Sequence, residues 1–186
     1  MKKFILLVIL AFTISVAAVG KGNANREYNY GKRGYFGTAR ASYSLADCSP
    51  YRPGSGFAAD IINGYSFNHW FSLGAGIGII TTAEQEGNNI RIPVYIHLRA
   101  NVLDRKVTPF FAVNLGGGIC KGFLPNIING SPAEENGHYG FYSFEPQAGV
   151  AVRFKNGKMI DFGVSAFADF GRGINVCGKF GVGFTW

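Results

Sequence analysis

The stretch Ile90-Arg91-Ile92-Pro93-Val94-Tyr95-Ile96-His97-Leu98-Arg99-Ala100-Asn101 constrains the fold more than any other part of this 186-residue chain. Ile90, Ile92, Val94, Ile96, Leu98 and Ala100 share one face, while Arg91, Tyr95, His97, Arg99 and Asn101 share the other. A period of two belongs to an extended strand, whose successive side chains leave opposite sides of the backbone. A wholly apolar face of that length must leave water, for either a protein core or lipid.

The same design recurs along the chain. Phe71, Leu73, Ala75, Ile77 and Ile79 alternate with Ser72, Gly74, Gly76 and Gly78, and Phe111, Val113, Leu115 and Ile119 alternate with Ala112, Asn114, Gly116 and Gly118. Phe144, Ala148, Val150, Val152 and Phe154 oppose Glu145, Gln147, Gly149, Ala151 and Arg153. Ile160, Phe162, Val164, Ala166 and Ala168 oppose Asp161, Gly163, Ser165 and Asp169. The last segment sets Ile174, Val176, Phe180, Val182, Phe184 and Trp186 against Asn175, Cys177, Lys179, Gly181, Gly183 and Thr185. Two weaker strands, Gly34 to Leu45 and Phe57 to Phe67, bring the expected number to eight. Short connections at Asn68-His69, Asp104-Arg105-Lys106 and Asn156-Gly157 fall on one rim, with longer polar loops at 46–56, 81–89 and 121–137 on the other. A smaller loop near Gly171-Arg172-Gly173 joins the last two strands. Strands of about 10 residues in antiparallel up-and-down order use the chain up, and closure removes sheet edges.

The N-terminus predicts secretion. Met1-Lys2-Lys3 is basic, Phe4 to Val19 is apolar, and small residues follow at Ala17, Ala18, Gly20 and Ala24. Residues 1–24 read as a signal peptide cleaved between 18 and 25, residues 25–33 as a periplasmic segment, and 34–186 as one barrel domain. No later apolar run approaches the roughly 20 residues a spanning helix needs, so any membrane entry is by strands. Only 16% of residues are charged, 15% are aromatic and 27 are Gly, which excludes a disordered chain or a coiled coil. The formal charge of +7 falls to +5 once Lys2 and Lys3 are cut away before Lys21. Its basic residues occur singly or in pairs, so no nucleic-acid partner is expected. Cys48, Cys120 and Cys177 lack metal spacing; one disulfide is permitted, and its pair is open.

Whether the apolar face meets lipid or a core separates a membrane barrel from a soluble lipocalin-like or streptavidin-like one. The other face is rich in Gly, Ser and Ala, a poor surface for water but suited to a crowded lumen. An eight-stranded barrel is just wide enough to be filled by side chains. The inward set then carries Arg40, Asp60, Arg91, His97, Arg99, Glu145, Gln147, Arg153, Asp161 and Lys179, which predicts a polar plug of salt bridges, since unpaired charges there are costly. Tyr65, Phe67, Trp70, Phe71, Phe110, Phe111, Phe154, Phe184 and Trp186 fall near strand ends, as interfacial girdles do. Pro93 and Pro146 each remove a ladder donor and predict a bulge or a local break.

Gly64-Tyr65-Ser66-Phe67-Asn68-His69-Trp70-Phe71-Ser72-Leu73-Gly74-Ala75-Gly76, Ile92-Pro93-Val94 and Leu98 through Phe111 together resemble the small bacterial outer-membrane β-barrel family, the OmpA- and OmpX-like barrels. The resemblance runs over about residues 34–186. It implies an all-β, eight-stranded antiparallel transmembrane barrel in the bacterial outer membrane, embedded in outer-membrane lipid and monomeric. The ending Gly181-Val182-Gly183-Phe184-Thr185-Trp186 resembles the C-terminal aromatic signal presented to the barrel-assembly machinery, with Trp186 where Phe is usual.

Chemistry is hard to find. His97 lies on the inward face between arginines, without the His-x-Ser element of barrel lipid A deacylases; His69 sits in a short turn and His138 at a loop end. No triad is legible, and Glu84 with Glu86 or Glu134 with Glu135 read as solvated loop acids. Gly173 to Phe180 approaches a phosphate-binding loop but has Phe180 in place of Ser or Thr. Asn129-Gly130-Ser131 matches a glycosylation sequon in form only. The expected role is structural, surface-recognition or adhesive, carried by the outer loops toward an unassigned external partner, with no catalytic, metal or cofactor residues. A barrel enzyme acting on lipid or peptide, or a soluble ligand-binding barrel, are the alternatives.

Overall fold

The computed structural model describes residues 33–47, 55–84, 87–128, 131–154, 157–171 and 174–186. The signal-peptide and periplasmic-segment readings, Cys48, Glu86 and Asn129-Gly130 fall outside the described residues, Arg33 excepted, and the side chains of Glu84, Glu134 and Glu135 are likewise undescribed. Eight strands, β1 (Gly34–Asp47), β2 (Ser55–Ser66), β3 (Phe71–Glu84), β4 (Gly87–Asn101), β5 (Val107–Ile128), β6 (Ser131–Arg153), β7 (Met159–Phe170) and β8 (Ile174–Thr185), pair antiparallel in sequence order and close into a barrel. Closure joins β1 to β8 in a ladder that includes Thr38 opposite Thr185 and Ala39 opposite Phe184. Gly37 and Trp186 exchange backbone hydrogen bonds of 3.2 and 3.0 Å at its end.

The short turns have local causes. The Asn68 side-chain oxygen accepts hydrogen bonds from the backbone N–H groups of Trp70 and Phe71, each at 2.8 Å, which folds the chain back into β3. Between β4 and β5, the Leu103 N–H donates to the Thr108 hydroxyl at 3.0 Å. Gly157 adopts φ +85°, a conformation that side chains disfavour, while the Phe154 N–H donates to the Lys158 carbonyl at 2.8 Å.

Pro93 and Pro146 each break a ladder without bulging it. The β3–β4 pairing runs to Ile77 opposite Val94 and resumes in the same register at Ile80 opposite Arg91, leaving Pro93 in the gap. The β6–β7 pairing skips from Phe144 opposite Ala168 to Gln147 opposite Ser165, spanning Pro146. On their other sides Pro93 pairs with Gly118 and Pro146 with Val113. Each missing N–H therefore faces only one neighbour, and the barrel stays closed.

The long connections differ from expectation. The segment 121–137 is mostly ladder: β5 and β6 remain paired out to Ile128 opposite Ser131. Likewise β3 and β4 pair to Glu84 opposite Gly87 within the expected 81–89 loop. The polar, Gly-, Asn- and Pro-containing composition of these segments has no apolar face to signal a strand, yet a ladder needs only backbone donors and acceptors. The β4–β5 pairing stops at Lys121 and the β6–β7 pairing at Tyr142, so among the described residues the end of this hairpin is paired only within itself. Seven further residues of β5 at about 3.3 Å each carry it roughly 20 Å past its last pairing with β4.

Sidedness follows the alternation. Ile61, Ile77, Val94, Ile96, Leu115, Ile119, Phe162 and Phe180 point outward and are 45–58% exposed. A belt this apolar and continuous is not left in water. The lipocalin-like arrangement, with the apolar face inward, is the reverse of what forms. One of the aromatics expected at the rim, Phe110, is inside and 1% exposed, because it shares its strand face with Ala112 and Asn114. Tyr65, Phe67, Trp70, Phe71, Phe111, Phe154, Phe184 and Trp186 are on the outside.

Candidate functional site

The barrel interior holds the polar residues singled out above. Asp60, Arg91, His97, Arg99, Glu145, Gln147, Arg153, Asp161 and Lys179 are all buried, and the Arg40 side chain is 8% exposed. They form three groups. In the first, Arg99 pairs with Asp161 at 2.8 Å, Arg40 approaches the same carboxylate at 3.5 Å, and Arg40 also donates to the Gln147 side-chain oxygen. In the second, Lys179 and Glu145 pair at 2.8 Å, and Glu145 also accepts from Asn114 at 3.0 Å and Ser165 at 2.7 Å. Asn114 shares a 2.7 Å hydrogen bond with His97 Nδ1, and the Tyr95 hydroxyl donates to Asp60 at 3.0 Å. In the third, Arg91 pairs with Asp169 at 3.2 Å, and Asn175 donates to that carboxylate at 2.9 Å. Arg153 stands apart at the short-turn rim, 3.3 Å from Asp104, with a 3.0 Å bond to the His69 carbonyl.

Several members of these networks were absent from the expected polar plug. Asp169, Asn114 and Ser165 lie on inward strand faces, so parity alone was enough to include them. Tyr95 was placed on the correct face, but its bond to Asp60 on β2 depends on the diameter of the barrel. Asp104 sits in a turn, and nothing in its sequence neighbourhood points to Arg153 across the rim.

Apolar layers lie between the charged ones. Ala58, Ile80, Cys120, Phe141, Phe167 and Cys177 pack together, with Tyr139 against them. Cys120 and Cys177 are buried thiols within this layer. Phe110, Ala112 and Ala151 form a second layer, with Met159 against it. Rings and cations interleave: the Arg99 guanidinium lies 4.0 Å from the Phe110 ring centre and the Lys179 ammonium 4.6 Å from that of Phe167. A dry apolar layer across a narrow lumen opposes passage of a hydrated ion. Among the described residues no cluster of His, Cys, Asp and Glu is arranged to hold a metal ion.

The order of the strands and their closure match known structures. Neisserial surface protein A superposes with a TM-score of 0.67 at 12% identity, over 83% of this chain and 97% of that one. The fold is that of the small outer-membrane β-barrels. Ail, the attachment invasion locus protein of Yersinia pestis, matches with a TM-score of 0.50 at 13% identity, over 83% of this chain and all of Ail. No family model and no curated protein matches the sequence. The outer-membrane barrel fold is thus conserved in shape where little sequence is shared, as expected when face polarity and closure, rather than particular residues, define it.

Proposed function

We propose that this chain is a non-catalytic outer-membrane protein whose plugged barrel anchors a surface-recognition element. The projecting β5–β6 hairpin is the observation that carries this reading. Lipid would surround the apolar belt, the short turns would face the periplasm, and the hairpin would stand outside the cell. In this reading the barrel works as a monomer.

The hairpin suits recognition for a backbone reason. Even-numbered residues of β6 direct their N–H and C=O groups away from β5, since Pro146 must lack its bond on the β7 side. Above Tyr142 no residue of β7 pairs with those groups, so among the described residues Glu134, Asn136 and His138 offer an open edge. On the other edge Pro125 removes a donor. An extended polypeptide on another surface can therefore add a strand along β6.

The test replaces residues 122–137 with a two-residue Asn-Gly turn. Outer-membrane fractionation and heat-modifiable gel migration should be retained, while adhesion of expressing cells to protein-coated surfaces should fall to the level of the empty vector. Unchanged adhesion would exclude the hairpin as the recognition element, and a detergent-independent soluble monomer would exclude the membrane anchor.

A further inference from the structure

The mouth of the barrel on the short-turn rim opens into a cavity of about 240 Å³ whose lining, among the described residues, includes Arg33, Arg99 and Arg153 and no carboxylate. Small-molecule sites usually occupy about 300–1,000 Å³. This one is of a size for a small ion or the end group of a longer molecule. We propose that it binds an oxyanion, a phosphate or carboxylate group, either free or carried at the end of a chain.

Three observations support an anion. First, charge at this end is unbalanced among the described residues. Arg40, Arg99 and Arg153 are set against Asp161 and Asp104, with Asp161 shared by two guanidinium groups and Asp104 half-exposed at the rim. Arg33 adds a further positive charge at the mouth. Second, Arg99 is 4% exposed yet incompletely served. Its Nη1 pairs with Asp161 and its Nε donates to Asn101 at 3.2 Å, but Nη2 meets the Met159 thioether at 3.6 Å. Thioether sulfur is a weak acceptor, and Met159 is itself part of the cavity wall. An oxyanion displacing that contact would exchange it for a charge-assisted hydrogen bond. Third, the arms are held in place. Arg33 Nε donates to the Phe67 carbonyl at 2.8 Å and Arg153 Nη2 to the His69 carbonyl, so both guanidinium groups are pinned at the rim before any ligand arrives. Preorganised donors lose little freedom on binding.

The inference concerns the rim opposite the projecting hairpin and does not rest on the recognition role. The probes are inorganic phosphate, succinate and N-acetyl-diglycine, titrated into the full chain in zwitterionic micelles at constant ionic strength. Calorimetry and arginine Nε–Hε resonances are the readouts. Saturable one-to-one binding that shifts the Arg99 resonance is expected, weakened about tenfold by Arg33→Gln or Arg99→Lys and tightened by Asp104→Asn. Preference for phosphate and succinate would mark a free ion as the ligand, and preference for the peptide would mark a chain end. Arg33 lies on the exposed rim, so Arg33→Gln stands as the test if Arg99→Lys fails to fold. Absence of saturation at millimolar concentration, or affinities that ignore both arginine variants, would overturn the proposal.

Discussion

At the scale of single residues, the lumen is built from large side chains set against glycine. A Cβ added to Gly76 would lie 2.4 Å from the Tyr95 ring, one on Gly118 2.9 Å from the Phe141 ring, and one on Gly149 2.8 Å from Phe110. At Gly76 the ring itself takes the space a side chain would need, and at Gly118 and Gly149 the ring closes in beside a backbone carbonyl oxygen 2.1 Å from the built Cβ, that of Ile92 and of Phe162. At Gly116 the obstacle is backbone, with the Val94 carbonyl oxygen 2.1 Å from the built Cβ, whereas at Gly178 nothing lies within 4 Å. Gly116→Ala should therefore destabilise the folded barrel by about 1–3 kcal/mol. Gly178→Ala should stay within about 0.5 kcal/mol, both read from denaturant unfolding in micelles. The Lys179–Glu145 pair gives a second residue-scale prediction. Lys179→Met leaves a buried carboxylate with only Asn114 and Ser165 as donors, an expected cost of about 3–5 kcal/mol. Adding Glu145→Gln should recover part of that loss; a double variant no better than the single would show that the pair is not coupled.

At the scale of the strand, alternation does most of the specifying, because shifting a strand by one residue exchanges its faces. β4 shows this best: Arg91, His97, Arg99 and Asn101 are buried while Val94 and Ile96 are each 55% exposed. If that outer face meets mid-bilayer lipid, Ile96→Arg should cost about 2–4 kcal/mol in unfolding from liposomes. Unchanged stability would mean that the face does not meet lipid. Phe110 shows what residue type alone misleads: beside the exposed Phe111 it reads as another girdle aromatic, but strand parity places it under Arg99. The β5–β6 hairpin fails the opposite way. Its projecting part has no alternating apolar face, so periodicity gives no strand signal, and only the ladder reveals it.

At the scale of the whole molecule, charged groups and apolar layers stack along one axis and close it. Purified protein in planar lipid bilayers should therefore show no stepwise ion conductance, and regular single-channel steps would contradict a plugged lumen. The cavity at the short-turn mouth is confined to that end and gives no passage on its own.

Local periodicity, with turn residues a few positions apart, specifies the strands of the barrel wall, their faces and their up-and-down order, and closure follows from that order; the outer parts of β3 to β6 carry no such signal. Parity likewise identifies most of the charged residues that point inward, Asp169 being the one left out of the expected plug. Only the tertiary structure decided the partners: Asp161 serves both Arg99 and Arg40, Tyr95 reaches Asp60, and Asp104 meets Arg153. Those pairings depend on barrel width and on the stagger between strands distant in sequence, and neither is written in any one segment. The projecting hairpin and the cationic mouth are likewise products of register and closure, where backbone ladders and rim geometry bring together residues whose neighbours along the chain give no sign of it.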